Sequence, residues 1–403
     1  MRIGIDGRML TNPYRAGVGN WLGLLLDGFK ALNVKHQVYL FYFNNYTIDP
    51  PADNYHNVIF AVPPIKIAGF NLYSLIWKQL ILPILLYRNK IDVFLDHTGE
   101  LPVIMPCKSI AVVHDVIPLL NVNADYPEPV VESDVIPLPN ISVDRNLKNK
   151  LKKTYTRLIL YRGLSRANKI IAISNSTKND LCNLMPNISS KINVVHNGLD
   201  PFFSWPVPNE VIEFVKKNFT SGQPYILAVS TIKPRKNFSG IINAFAIFKK
   251  TAKLSHRLLL IGESLINSDS LLSGVETNII KDITFTGYVS KDQLKALYTM
   301  ADFFVMPSFY EGFGYPVIEA MACGCPVISS KTSSLPEVGG SAVFYVNPYS
   351  IEDIAEAMIK MATDSILRQR LVEKGKKQIQ KFDYLVTAKK VLEVIEDAIK
   401  TDL

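Results

Sequence analysis

The stretch of sequence that decides the fold reads Glu311-Gly312-Phe313-Gly314-Tyr315-Pro316-Val317-Ile318-Glu319-Ala320-Met321-Ala322-Cys323-Gly324-Cys325-Pro326-Val327. An apolar strand is predicted directly before it, at 303–306, and a second one at its end, at 326–329. Pro316 suits the first turn of a helix, where its missing N–H costs nothing, and Gly324 suits the position just after a helix. Strand, loop, short helix and strand predict half of a doubly wound α/β nucleotide-binding domain, with the helix N-terminus directed at the ligand crevice.

Two carboxylates flank the predicted start of this helix. Glu311 lies in the loop and Glu319 one turn into the helix, and a carboxylate at either place can accept hydrogen bonds from sugar hydroxyls. The alternative is an ordinary strand–helix unit of any Rossmann-like domain. The Glu-x7-Glu spacing, framed by Pro307-Ser308 and by the run 320–327, strongly resembles the retaining glycosyltransferases of the GT-B fold, family 4.

This resemblance implies an α/β protein of GT-B fold, with two Rossmann-like doubly wound domains that face a central cleft. In such a protein Glu319 would bind the ribose hydroxyls of a nucleotide. Glu311 and the backbone N–H groups of Phe313, Gly314 and Tyr315 would hold the donor sugar and its phosphate. The resemblance extends over nearly the whole chain and is stronger in the second half.

Length and composition also indicate two globular domains. The chain has 403 residues, which is more than one average hydrophobic core supports, and two domains of about 200 residues are expected. Hydrophobic residues make up 48% and charged residues 20%, as in soluble proteins. The net charge is +8, of which residues 1–200 contribute +6 through 21 basic and 15 acidic residues. An anionic partner is therefore expected in the first half: a membrane surface or a nucleoside diphosphate rather than a nucleic acid.

The cysteines and the apolar segments favour a cytoplasmic protein. The four cysteines show no zinc-binding spacing and are few for the length, which fits free thiols in a reducing compartment. The N-terminus starts a strand and has no signal-peptide pattern. The most apolar segment, 65–87, is interrupted by polar residues and by Pro83, so a spanning helix is not expected.

Predicted strands and helices alternate along the chain, which favours parallel sheets covered by helices. We predict an N-terminal acceptor domain over 1–202 and a C-terminal nucleotide-sugar donor domain over 203–383, with the last helix, 384–403, packing back on the first domain. Strands are expected at 3–5, 37–43, 58–61, 93–95, 110–113, 170–173, 225–229, 258–261, 283–285, 303–306, 327–329 and 342–345. Helices are expected near 18–32, 70–87, 151–166, 176–185, 238–251, 290–300, 316–323, 351–361 and 366–381.

One segment, 121–143, departs from this alternation. It contains Pro127, Pro129, Pro137 and Pro139 and has no helical period. We expect a long loop, either functional or a solvated excursion.

A glycine pair follows the first predicted strand. Gly17 and Gly19 precede a helix, so the backbone can approach a phosphate closely there. By itself the pair is as consistent with an ordinary loop. It is similar to the N-terminal glycine loop of the family, which lies against the donor diphosphate and the reacting sugar.

A basic turn follows the strand predicted at 225–229. Arg235 and Lys236 can stabilise the negative charge that develops on a departing diphosphate, with Lys233 as an additional cation. A solvated basic turn is the alternative. The pair resembles the basic pair of the family, although many members carry Arg where Thr231 stands here.

A His-Asp pair, His114 and Asp115, ends the strand predicted at 110–113, at the edge where α/β proteins bind ligands. A histidine at a strand end is by itself more often structural. The resemblance gives His114 the role of the active-site histidine beside the donor sugar. His97 ends another strand, and its alternatives of acceptor contact and a structural role stay open.

Residues 145–169 carry nine Lys or Arg and an interleaved apolar stripe. The pattern predicts an interfacial helix that contacts a membrane, in preference to a helix with a solvated basic face. Trp77 and the aromatic residues Phe70, Tyr73 and Tyr87 are expected to form a second contact.

The sequence thus predicts a hexosyltransferase that moves a sugar from a nucleotide diphosphate sugar to a glycan or a polyprenyl-diphosphate-linked saccharide in polysaccharide biosynthesis. The segments 3–9 and 234–237 look most like the mannosyltransferase-type subgroup, so GDP-mannose is the first expected donor and a UDP-hexose the alternative. The family implies metal-independent transfer without a further cofactor. A non-catalytic nucleotide-sugar or glycan-binding GT-B protein and a GT-B epimerase are the alternatives. The expected location is the cytoplasm, with peripheral contact at the inner face of the membrane.

Overall fold

The computed structural model describes residues 1–11, 17–43, 52–60, 66–67, 70–71, 75–119, 147–231, 233–262 and 268–400. These residues form two compact units. The chain passes from the first unit to the second after Gly198 and returns to the first at Phe382. The segment 121–143, for which a long loop is predicted, lies outside the described residues.

A parallel sheet forms the centre of the first unit. The strands of this unit are β1 (Arg2–Asp6), β2 (Gln37–Phe43), β3 (Tyr55–Phe60), β4 (Lys66–Ile67), β5 (Phe70–Asn71), β6 (Val93–Asp96), β7 (Lys108–Val113), β8 (Lys169–Ala172) and β9 (Ile192–Val194). The main sheet has seven strands in the order β3-β2-β1-β6-β7-β8-β9, and β4 pairs only with β5. Because β1 pairs with β2 on one side and β6 on the other, the sheet is built outward from β1. The carboxyl ends of β1 and β6 mark the topological switch point, where such sheets bind ligands.

The helices of the first unit follow the predicted alternation with one exception. They are α1 (Val18–Ala31), α2 (Leu82–Arg88), α3 (Leu147–Arg166) and α4 (Asn175–Leu184). The helix predicted over 70–87 is wrong at its start, since residues 70–71 are a strand, and it contains a π-helical turn at Trp77–Ile81. The Leu82 N–H donates to the Trp77 carbonyl oxygen, five residues back. The wider turn precedes Pro83, which has no N–H to continue the ladder.

The second unit contains a parallel sheet of six strands. Its strands are β10 (Tyr225–Val229), β11 (Arg257–Ile261), β12 (Ile283–Gly287), β13 (Phe303–Met306), β14 (Val327–Ser330) and β15 (Val343–Val346). Their order is β12-β11-β10-β13-β14-β15, which is the order of a doubly wound dinucleotide-binding domain. β13 and β14 are buried along their whole length, as expected for strands covered on both faces. The predicted α/β class with two doubly wound domains is confirmed.

Helices cover this sheet. They are α5 (Asn209–Val215), α6 (Phe238–Ala252), α7 (Ser268–Leu271), α8 (Thr277–Ile280), α9 (Lys291–Met300), α10 (Tyr315–Ala322), α11 (Leu335–Gly339), α12 (Ile351–Thr363) and α13 (Ser365–Gln378). Short 3₁₀ or π turns occur at Arg8–Thr11, Pro186–Lys191, Pro201–Ser204, Lys216–Thr220, Pro234–Lys236, Gly340–Ala342 and Ile379–Phe382. The short helices α5, α7, α8 and α11 were not predicted, because segments of four to seven residues carry too little periodicity.

The helix boundaries in the deciding stretch agree with the prediction. Pro316 lies in the first turn of α10, and Gly314 precedes it with φ 107°. Gly324 has φ +73° and follows the helix C-cap, Cys323, with its N–H bonded to the Met321 carbonyl oxygen at 3.1 Å. A residue with a Cβ is strained at such angles, so both glycines fix where the short helix begins and ends.

The last helix, α14 (Tyr384–Lys400), belongs to the first unit. It packs along α1, and the closest approach is at Gly28, where an added Cβ would lie 2.4 Å from the Ala388 Cβ. Further along the chain, an added Cβ at Gly198 would lie 2.4 Å from the Tyr384 Cα. Close helix packing here depends on glycine. Among the described residues, no helix has the length and apolar character needed to cross a membrane.

The α1–α14 contact leads to a prediction. Gly28→Ala places a methyl group inside the van der Waals radius of Ala388, and overpacking of this kind typically costs about 1–3 kcal/mol. We expect a lower free energy of unfolding in equilibrium urea denaturation. Ala388→Gly in the same chain makes room for the methyl group and should restore part of the loss. A double variant whose loss equals the sum of the two single losses would contradict the contact.

Candidate active site

Two loops meet at the switch point of the second sheet. β10 pairs with β11 on one side and β13 on the other, so its exit loop, 230–237, lies beside the exit loop of β13, 307–314. The Phe309 N–H donates to the Arg235 carbonyl oxygen at 2.9 Å, which ties the loops together through their backbones. The sequence-predicted cations and Glu311 are therefore brought to one place, at the edge where doubly wound sheets bind nucleotides.

The Glu311 carboxylate binds both cations of the basic turn. Arg235 Nη1 lies 3.0 Å from Glu311 Oε2, and Lys236 Nζ contacts Glu311 Oε1. Arg235 Nη1 also donates to the Tyr310 carbonyl oxygen at 2.9 Å. Burial by itself would raise the pKa of Glu311, but Lys236 and then Arg235 outweigh it, and the pKa lies below its usual range. Two positive charges facing one carboxylate leave the cluster with a net positive charge.

Asn237 connects the basic turn to the loop after β13 by hydrogen bonds. It is buried and adopts the left-handed region with φ 57° as the N-cap of α6. Its side-chain oxygen accepts from the Gly240 N–H at 3.2 Å, and its amide nitrogen donates to the carbonyl oxygens of Pro307 at 3.2 Å and Pro348 at 2.8 Å. A Cβ on Gly240 would lie 2.4 Å from the Asn237 side-chain oxygen. The position of Arg235 and Lys236 is thus fixed by the residue that follows them.

Serine hydroxyls hold the glycine-containing loop before α10. The Glu311 N–H donates to Ser333 Oγ, and Ser334 Oγ lies 2.8 Å from the carbonyl oxygens of Glu311 and Phe313. Ser333 has φ 49°, a left-handed angle that the surrounding contacts must maintain. The rings of Phe313 and Tyr315 meet edge to face at 5.6 Å between centroids. Phe313, Gly314 and Tyr315 thus lie at the N-terminus of α10, where the helix dipole favours an anion.

Glu319 has a different environment from Glu311. It is partly buried, and the Tyr298 hydroxyl donates to its Oε2 at 3.4 Å. Burial raises the pKa of Glu319 to about 7, with a further contribution from Asp200. Lys291 acts in the opposite direction on this pKa and is itself paired with Asp200 at 2.5 Å. A carboxyl group with a pKa near 7 beside the Tyr298 hydroxyl can accept hydrogen bonds from hydroxyl groups. Recognition of a ribose needs such an acceptor.

In the first unit, His114 lies at the carboxyl end of β7. Its ring meets Trp21 of α1 edge to face at 5.4 Å between centroids, which brings it near the helix that begins after Gly17. Burial lowers the pKa of His114 to about 3, although a backbone hydrogen bond with His97 acts in the opposite direction. The ring is therefore neutral at physiological pH and can act as a hydrogen-bonding group.

The two predicted phosphate-binding glycines start α1. Gly17 is the N-cap with φ 45° and is exposed, and a Cβ there would meet no atom of the described residues within 4 Å. Gly19 is buried. The angle at Gly17 favours glycine for backbone reasons alone.

A buried charged cluster at the switch point of the first sheet was not predicted. Asp6, at the end of β1, binds the Arg8 guanidinium at 2.8 and 2.9 Å from Nε and 2.5 Å from Nη2. Asp96, at the end of β6, lies 3.5 Å from the Lys78 ammonium. The sequence did contain a pattern that could have predicted it, because both aspartates end apolar strands. Adjacent strands of a parallel sheet bring their carboxyl ends together.

His97 belongs to this cluster and is fully buried. Neither of its ring nitrogens has a hydrogen-bond partner in the described part of the chain, and burial lowers its pKa. Full burial between the strand ends favours the structural alternative over direct acceptor contact. Lys78 also donates to Thr98 Oγ1 at 2.6 Å and pairs with Glu100 at 3.1 Å.

The ion pairs around Glu311 lead to a prediction. Lys236→Met removes one counter-charge from a buried carboxylate, and breaking a buried pair in this way typically costs about 3–5 kcal/mol. We expect a clear fall in the melting temperature at neutral pH. The pKa of Glu311 is depressed, so its contribution is present above the unfolded-state pKa and lost as the pH falls through the folded-state pKa.

The matched control is Lys236→Met combined with Glu311→Gln. The neutral amide needs no counter-charge, so the double variant should be more stable than Lys236→Met alone. Equal melting temperatures for the single and the double variant would show that the pairing does not stabilise the loops.

Comparison with known proteins places both halves of the chain. The family model described as "Glycosyltransferase Family 4" matches residues 16–202, and the one described as "Glycosyl transferases group 1" matches residues 210–378. In structure, the chain is similar to sucrose-phosphate synthase from Thermosynechococcus elongatus, with a TM-score of 0.72, 19% identity and full coverage of both chains. That likeness concerns the fold.

In sequence, the chain is similar to two mannosyltransferases of Escherichia coli. It is 30% identical to O-antigen chain mannosyltransferase B over 231 residues, which are 57% of this chain and 61% of that protein. It is 29% identical to the serotype-specific mannosyltransferase WbdA over 295 residues, which are 72% of this chain and 33% of that protein. The match thus spans less than two thirds of either relative. The two family models, which together cover most of the chain, the parallel sheets and these relatives agree, and the chain belongs to the GT-B glycosyltransferases of family 4 (group 1).

Proposed function

We propose that this protein transfers a hexose from a nucleoside diphosphate sugar to a hydroxyl group of a glycan or a lipid-linked saccharide. The observation that carries the proposal is the junction of the two loops in the second unit, where Arg235 and Lys236 face Glu311 beside the N-terminus of α10. The cluster carries a net positive charge on a rigid scaffold. Such a cluster can stabilise a diphosphate as it leaves.

The reaction needs no protein nucleophile in this proposal. The bond between the anomeric carbon and the diphosphate breaks, and the diphosphate leaves with the electron pair. The acceptor oxygen forms the new bond on the same face, and its proton passes to the departing phosphate, so the anomeric configuration is retained. Arg235 and Lys236 stabilise the phosphate, and Glu311 and the N–H groups of Phe313, Gly314 and Tyr315 hold the sugar and phosphate.

The remaining site residues complete the donor contacts. Glu319 accepts hydrogen bonds from the ribose hydroxyls, and its position next to the Tyr298 hydroxyl supports this role. Gly17 and Gly19 let the backbone approach the diphosphate. The neutral ring of His114 donates or accepts a hydrogen bond at the donor sugar without changing its charge.

Mannose is the proposed sugar and GDP-mannose the first donor to test. The support is the names of the relatives, O-antigen chain mannosyltransferase B and the serotype-specific mannosyltransferase WbdA. A UDP-hexose is the alternative donor. Transfer is proposed to proceed without a metal ion or further cofactor, in the cytoplasm, with peripheral contact of the basic segment 145–169 at the inner face of the membrane.

Glu319 gives this proposal a pH signature. Its pKa is raised to about 7 by burial, and ribose hydroxyls form stronger hydrogen bonds to the charged carboxylate than to the neutral acid. Affinity for the nucleoside diphosphate should therefore rise as the pH is raised through about 7 and level off above it, with a slope of up to about tenfold per unit below. Calorimetric titrations at a series of pH values measure it.

Glu319→Gln is the matched control for the pH series. The phosphate of the ligand titrates in both proteins, so only the difference between them reports on Glu319. The variant should bind more weakly at high pH and lack the additional slope. Parallel curves for the two proteins would contradict ribose binding by this carboxylate.

The activity itself is tested with a panel of GDP- and UDP-sugars, with and without glycan acceptors. We expect transfer only with an acceptor, and we expect His114→Ala to lose turnover by roughly 10²–10³-fold while it keeps its affinity for the free diphosphate. Nucleotide binding with no turnover by the wild-type chain would favour a non-catalytic binding protein. Sugar-nucleotide conversion without an acceptor would favour an epimerase.

A further inference from the structure

A buried hydroxyl group without a hydrogen-bond partner lies at the start of α10. The Tyr315 hydroxyl oxygen is buried, and none of the described residues forms a hydrogen bond with it. The ring of Tyr315 is only partly buried and meets Phe313 edge to face at 5.6 Å between centroids. Most buried hydroxyl groups in proteins are paired, because an unpaired one has lost its water without replacement. The protein alone therefore leaves this group unsatisfied, which a bound ligand could correct.

The helix places this hydroxyl group on the same side as Glu319. Tyr315 and Glu319 are four residues apart on α10, and residues at this spacing lie on one face, one turn apart. Burial raises the pKa of the Tyr315 hydroxyl, and the carboxylates of Glu319 and Asp200 raise it further. The phenol is therefore protonated at physiological pH and can donate. Glu319 takes its hydrogen bond from another hydroxyl, that of Tyr298 at 3.4 Å.

The two side chains together complement a pair of neighbouring hydroxyl groups. A charged carboxylate can only accept hydrogen bonds, whereas a protonated phenol can donate one. A hydroxyl group can do both, so one hydroxyl of a diol can donate to Glu319 while the other accepts from Tyr315. A phosphate oxygen is a poorer occupant, because the same carboxylate would repel its negative charge. The 2′ and 3′ hydroxyls of a ribose form such a diol.

We propose that the Tyr315 hydroxyl donates a hydrogen bond to a ribose hydroxyl of the nucleoside diphosphate sugar, so that Tyr315 and Glu319 together select ribonucleotides over deoxyribonucleotides. The inference rests on the proposed function, because it takes Glu319 as the carboxylate that binds the ribose. It gives Tyr315 a second contact, since its backbone N–H is already proposed to hold the phosphate. A site of this kind rejects an analogue that lacks the hydroxyl, because the polar groups of the protein are then left unpaired.

Calorimetric titration of the full chain tests the selection, with GDP and UDP and with the 2′-deoxy and 3′-deoxy forms of whichever binds. The wild-type chain should bind the ribonucleotide about tenfold more tightly than at least one of the deoxy forms. Tyr315→Phe should lower the affinity for the ribonucleotide about fivefold, the usual effect of one neutral hydrogen bond. It should leave the affinity for the deoxy form that lacks the contacted hydroxyl nearly unchanged.

The melting temperature without nucleotide separates ligand binding from a structural role. Tyr315→Phe removes a hydroxyl that has no partner among the described residues, so the free variant should melt at or above the wild-type temperature. Tyr298→Phe is the matched control, because its hydroxyl donates to Glu319 in the free protein. That variant should melt at a lower temperature. It should also move the pH dependence of nucleotide binding to higher pH, since the lost hydrogen bond lowers the pKa of Glu319.

Three outcomes would overturn the inference alone: an unchanged affinity of Tyr315→Phe for the ribonucleotide, equal losses for the ribonucleotide and both deoxy forms, or a fall in the melting temperature of the free variant. The first two would show that the hydroxyl does not contact the ribose, and the third that it stabilises the free protein. A wild-type chain that binds neither GDP nor UDP would contradict the proposed function, and the inference with it.

Discussion

The buried carboxylate of Glu311 is the group on which the candidate active site depends. It lies between two cations that come from a different loop, so it determines how the exit loops of β10 and β13 sit against each other. A buried carboxylate without counter-charges would lower the free energy of unfolding, and two unpaired cations at the same place would repel each other. The three charges therefore hold one another in position. Asn237 and the serines after β14 add the neutral hydrogen bonds that orient the backbone around them.

The first unit has the same kind of sheet topology, but different charged side chains lie at its switch point. In both sheets the first strand of the unit is central, and later strands are added first on one side of it and then on the other. Both sheets therefore have a topological switch point beside that strand. In the second unit that place carries cations with an excess of positive charge. In the first unit it carries Asp6, Asp96, Arg8 and Lys78 in nearly balanced pairs, beside an uncharged His97. A balanced, rigid cluster supports the strand end at His114 and does not itself attract an anion.

Sequence reasoning captured what depends on local pattern. The strands of both sheets, the start of α10 at Pro316 and its end at Gly324 follow from apolar runs and from backbone rules, and the structure agrees with them. It also proposed Arg235, Lys236 and Glu311 as site residues, but it gave them separate roles and did not predict that they bind one another. That pairing depends on strand order, because β10 and β13 are adjacent in the sheet and about 75 residues apart in the chain. The membrane contact predicted for Trp77 is wrong, because this side chain is fully buried. The sequence pattern of an amphipathic segment does not show whether a given aromatic residue lies on the buried or the exposed face.

The two glutamates of the deciding stretch illustrate how environment separates identical side chains. Glu311 meets two cations, and its pKa falls. Glu319, eight residues later on the same loop and helix, meets a phenol and a carboxylate, and burial raises its pKa to about 7. Pairs of carboxyl groups with opposite shifts divide tasks between them. Glu311, whose pKa is lowered by Lys236 and Arg235, suits a structural and electrostatic role beside these two cations. In the proposed function, ribose hydroxyls that donate to Glu319 would stabilise its charged form, so that nucleotide binding and ionisation of this carboxyl group would be coupled.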